Sequence, residues 1–123
     1  YLDGVKNIHE VLQESIDIEY RNLQDGKISP SEYLIITEVT SSQVTTQISE
    51  FVTSKPSEKW QESYISYMNG MKKFNEYIIE TKVLANQIEN ESIDSKILET
   101  VNKIESIKVE SIEYIKKSNE LRP

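Results

Sequence analysis

Apolar side chains recur at spacings of three and four along most of this chain, and the pattern is strongest over residues 57–88. Numbered in heptads from Ser57, the a positions are Ser57, Tyr64, Met71, Ile78 and Ala85. The d positions are Trp60, Tyr67, Phe74, Thr81 and Ile88. Only Ser57 and Thr81 interrupt the apolar seam. Met68, Tyr77 and Leu84 widen it into a core-facing stripe. Gly70 is the one helix-weakening residue, at a cost of about 1 kcal/mol against alanine. The pattern predicts a helix over residues 57–90, with Trp60 and Phe74 in the core. A helix of about 30 residues is about 45 Å long, so its stripe requires partners of similar length.

Three further stretches supply them. Over residues 2–24, Leu2, Val5, Ile8, Leu12, Ile16, Tyr20 and Leu23 fall within an arc of about 120°. His9 lies inside that arc, while Glu10, Glu14 and Asp17 point outward. Gly26 then supplies a left-handed stop. Ser29-Pro30-Ser31-Glu32 combines a cap, a proline at the first helical position and a capping-box partner. It opens a helix over residues 30–54. This segment is rich in Thr and Val, but Val44, Ile48, Phe51 and Val52 follow helical spacing and not a period of two. Its inner face joins Tyr33, Thr37, Thr40, Val44, Gln47, Ile48 and Phe51, so polar groups interleave apolar ones. The last helix spans residues 93–120, capped by Ser92 or Asn90. Ile93, Ile97, Val101, Ile104, Ile107, Ile112 and Ile115 form its face, within about 140°.

Short loops make consecutive helices antiparallel neighbours. The expected fold is therefore all-α: one domain, an antiparallel up-down-up-down four-helix bundle with long helices 3 and 4. Tyr1 and Pro123 are expected at the same end. At the other end, helices 3 and 4 should overshoot the loop between helices 1 and 2 by about eight to ten residues.

Charge and composition narrow the function classes. The net charge is −7, from 21 acidic and 14 basic residues, which disfavours nucleic acid and anionic membrane surfaces as partners. The chain has no cysteine, hence no disulfide, thiolate nucleophile or Cys-ligated zinc. No run of 18 apolar residues is present to span a membrane, so any membrane attachment would come through other segments. The chain opens on Tyr1, which reads as a mature form or an excised piece. No Gly-rich phosphate loop, metal cluster or nucleophile–base set is found, so no enzyme and no cofactor is expected. Asp25-Gly26-Lys27-Ile28 with Glu32 resembles the back half of an EF-hand calcium loop. However, Arg21 and Leu23 stand where that family's first and third oxygen ligands belong, and the metal-binding role does not carry over. His9 is the single histidine and has no Glu-x-x-His motif beside it.

Two regions remain as candidate sites. Uncharged polar side chains gather in a middle layer: His9, Thr40, Gln47, Tyr67 and Met71 are the candidate ligand-binding residues. At the overshooting end, Leu84, Ile88, Ile93 and Ile97 are the candidate partner-binding residues, unless Ile28 and its loop cover them. The functional expectation is a non-enzymatic, extracytoplasmic or membrane-attached bundle that senses or binds a small molecule, a protein partner or a second copy of itself. This rests on fold-level analogy with bundles placed between the membrane helices of chemoreceptor-type sensors. An intracellular interaction scaffold is the alternative.

Overall fold

Local signals at the helix ends define four α-helices. The Ser29 hydroxyl oxygen accepts the Glu32 N–H at 3.1 Å, and Pro30 opens the helix behind it. The Glu32 carboxylate accepts the Ser29 hydroxyl at 3.2 Å, so the pair closes as a variant of the expected capping box. The computed structural model describes residues 2–123 and is 87% helical, with no strand among the described residues. The helices are α1 (Leu2–Gln24), α2 (Pro30–Thr53), α3 (Gln61–Glu89) and α4 (Asp94–Glu120). A 3₁₀ turn, Glu58–Trp60, leads into α3, so the α-helix proper starts later than residue 57.

Two of the helices end alike. After α1, Lys27 N–H bonds Asn22 O at 2.8 Å and Gly26 N–H bonds Leu23 O at 3.2 Å, with Gly26 at φ 72°. After α3, Ser92 N–H bonds Gln87 O at 2.9 Å and Glu91 N–H bonds Ile88 O at 3.2 Å. Both are Schellman stops, but the second places a glutamate at φ 53°. Because the backbones of Asn90 and Ser92 complete this stop, neither caps α4. Ile93 takes that position with no side-chain hydrogen bond.

The seam of α3 with α4 is the closest in the molecule. A Cβ built on Gly70 would lie 2.6 Å from Ile115 Cγ1 and 3.2 Å from the Ser111 carbonyl oxygen. Serines on both sides bond the opposite backbone. Ser63 Oγ donates to Ser118 O and Ser118 Oγ to Ser63 O, each at 2.7 Å. Ser66 Oγ donates to Tyr114 O at 2.7 Å, and Ser111 Oγ to Gly70 O at 2.8 Å. Small residues admit the second backbone, and their hydroxyls then find carbonyls within reach. The other helices also meet α3. Tyr33 donates to Thr81 Oγ1 at 2.7 Å from α2, and Tyr77 donates to Asp17 Oδ1 at 2.7 Å on α1. No α1 Cα lies within 8 Å of an α4 Cα among the described residues. Those two helices touch through side chains, Asp17 with Lys108 at 3.4 Å, and Arg122, just past the end of α4, pairs with Asp3 of α1 at 2.8 Å. The second pair sets the two ends of the described chain side by side; Tyr1 itself lies outside the described residues.

The inner face of α2 is as expected, with Tyr33, Thr37, Thr40, Val44, Gln47 and Phe51 buried at alternating spacings of four and three. Phe74 is buried and Trp60 partly so. Three expectations need correction. On α1, His9 holds the register of Leu2, Val5, Leu12 and Ile16, which leaves Ile8 turned out at 52% exposure. Asp17 does not face solvent but is held half-buried by Tyr77 and Lys108. On α4 the buried positions are Thr100, Ile104, Ile107, Ser111 and Ser118, while Ile93 and Ile112 are exposed. The close seam has no room for isoleucine where those serines stand.

The overshoot is also shorter than expected. Tyr33 faces Thr81 and Ser41 faces Asn75, which sets Pro30 opposite residue 84 to 86. Only about one helical turn of α3, roughly 6 Å, then extends beyond α2. The 3₁₀ turn moved the fold point away from Lys55.

Two substitutions test this description. Gly70→Ala gains about 1 kcal/mol of helix propensity, yet it should lower stability by about 1–2 kcal/mol net, because the new methyl meets Ile115 and a backbone oxygen. Urea unfolding showing a variant as stable as the parent would mean the two helices separate freely. Glu91→Gly should raise stability by about 0.5–1 kcal/mol by removing a left-handed glutamate. A lowered urea midpoint would contradict this.

Candidate functional site

Three helices turn a layer of buried, mostly polar side chains inward. His9 on α1, Thr40 and Gln47 on α2, and Tyr67 and Met71 on α3 are all buried. The His9 ring meets Tyr67 edge-on at 5.9 Å between centroids and Phe74 at 4.7 Å. The hydroxyls of α2 and α3 above this layer have ordinary partners: Thr37 donates to Tyr33 O at 2.9 Å and Thr81 to Ile78 O at 2.6 Å. The layer itself does not. Both His9 ring nitrogens, the Tyr67 hydroxyl and Gln47 Oε1 are enclosed with no hydrogen-bond partner among the described residues. Each such group costs about 1–3 kcal/mol in a core. Burial pulls the His9 pKa down to about 4. Gln13 lies close enough to favour the charged form without completing a hydrogen bond, and the Glu10 charge acts in the same direction. Burial likewise pushes the Tyr67 hydroxyl above the usual tyrosine range.

Phe51 connects this layer to the surface. Its ring stacks on Tyr67 at 5.4 Å and 19°, and its centroid is also 5.4 Å from that of Tyr64. Phe51 and Tyr64 are walls of a groove of about 650 Å³ where α2 ends and α3 begins. Val52, Pro56, Ile65 and Met68 complete its apolar lining, with Lys55, Gln61 and Lys72 at the rim. Val52 is 62% and Ile65 54% exposed, so these side chains face an open cleft. The volume lies within the range of small-molecule sites. None of the groove residues stood among the sequence candidates. Phe51, Tyr64 and Met68 belong to the inner stripes, whereas Val52, Ile65 and Lys72 lie off them, and the groove forms only when the turn at residues 54–57 brings the two helices together.

The far end is mostly closed. Leu84 is fully buried and offers no surface to a partner. Ile88 and Ile97 are half-buried and pack against the core, as does Ile28 from the loop after α1. Ile93 and Leu98 stay exposed, at 63% and 60%. Among the described residues, no group of three or more acidic, His or Cys side chains is placed to hold a metal ion. Among the described residues no helix is long and apolar enough to cross a membrane. Comparison with protein-family models, curated proteins and solved structures finds no match to this chain.

The buried histidine predicts a pH dependence. The unfolded chain takes up its proton near pH 6.5, the folded one only near pH 4. Stability from this group is therefore whole above pH 6.5 and falls as the pH drops towards 4, by up to about 3 kcal/mol. Urea midpoints measured from pH 7 to pH 4 should show this slope, and His9→Leu should reduce it. An unchanged slope in the variant would place the acid sensitivity elsewhere.

Proposed function

We propose that this chain is a non-enzymatic sensory or binding bundle whose ligand enters the groove between α2 and α3. The observation that carries the reading is the unbroken line of ring contacts from Tyr64 through Phe51 and Tyr67 to His9. A groove wall and an unpartnered buried polar layer share one side chain, Phe51. A ligand that turns Phe51 changes what Tyr67 and His9 pack against. Such a layer has little hydrogen bonding to lose, so it adjusts at low cost. The extracytoplasmic setting belongs to the same reading and rests on analogy of fold.

Nuclear magnetic resonance with small apolar fragments tests both steps. Fragments should shift the signals of Val52, Tyr64 and Met68, and with them the ring signals of the single histidine. Phe51→Leu should keep the first response and lose the second. Fragment shifts scattered over the whole surface would contradict the groove. Groove shifts with a silent His9 in the parent chain would contradict the sensing step.

A further inference from the structure

We infer that the groove takes a single-chain amphiphile with one anionic head group. This deepens the groove reading and rests on it. The lining is mostly aliphatic and aromatic, and its polar members are Ser54, Lys55, Gln61 and Lys72. On α3 it runs from Gln61 to Lys72, which is about 16 Å at 1.5 Å per residue. A linear apolar chain lying in it covers Met68 and Ile65 and exchanges their water for packing.

The rim decides the charge. Lys55 stands at the turn end and Lys72 at the other, both exposed and neither in an ion pair among the described residues. The neighbouring Lys73 is by contrast held by Glu76 at 3.2 Å and Glu110 at 3.0 Å. No acidic side chain lines the groove, although the whole chain carries a net charge of −7. A chain lying along the groove therefore places its head beside an ammonium whichever way it runs. A cationic head meets a like charge at either end. An uncharged head gains only the apolar part.

Trp60 reports on this place, because its ring meets Tyr64 edge-on at 6.4 Å. It is the only tryptophan in the chain. Its fluorescence is titrated with dodecanoate, dodecanol and dodecyltrimethylammonium, while the Met68 methyl signal shows where each one sits. Dodecanoate should shift Met68 and bind about tenfold or more tighter than the other two. Its advantage should shrink in high salt. The double variant Lys55→Glu, Lys72→Glu should bring dodecanoate to the level of dodecanol and leave dodecanol binding unchanged. Equal binding of dodecanoate and dodecanol to the parent chain, with Met68 shifted by both, would overturn the anionic class and leave the groove standing. Met68 unmoved by all three would overturn the groove as well.

Discussion

The approach of α3 to α4 at Gly70 is the constraint on which the other contacts depend. A missing side chain lets two backbones close, and four serine hydroxyls then bond across the gap. Each bond contributes only about 0.5–1.5 kcal/mol net, but together they fix the height and rotation of one helix against the other. With α4 held on one side, α3 presents Tyr67, Met71, Phe74 and Ile78 to the remaining two helices. Those helices add side chains to a face that is already set. The tightest contact and the candidate site are therefore on different sides of α3.

That separation matters for the proposed role. The groove and the His9 layer lie where α1 and α2 meet α3, away from the serine seam. There the contacts are rings against rings and polar atoms without partners. Ring stacking tolerates small rotations, whereas the seam, with its short bonds to backbone, does not. Tyr33 and Tyr77 still tie α2 and α1 to α3 at Thr81 and Asp17, and the proposed response is confined to the ring contacts between them and the groove.

Much of the fold was legible because heptad spacing and capping residues are strong signals. The stop at Gly26, the start at Ser29 and the inner face of α2 from Tyr33 to Phe51 follow from them directly. The face of α4 was misjudged because hydropathy favours isoleucine and cannot see a serine that belongs inside. Ser63, Ser66 and Gly70, spaced three and four apart, with Ser111 and Ser118 seven apart, were the available signal for a close helix pair. The burial of His9, Thr40, Gln47, Tyr67 and Met71 was legible from their places within apolar stripes. The groove was not, since Val52 and Ile65 look like stray exposed residues until the turn places them side by side. Lys55 and Lys72 carry no motif at all.

Native-state hydrogen exchange addresses the primacy of the α3–α4 seam most directly. Amides of α3 and α4 around Ser63, Gly70, Ser111 and Ser118 should exchange only through global unfolding, while those of α1 should exchange through smaller openings. Protection in α1 equal to or greater than that around Gly70 would contradict the account, because the hairpin would then no longer be the part on which the rest depends.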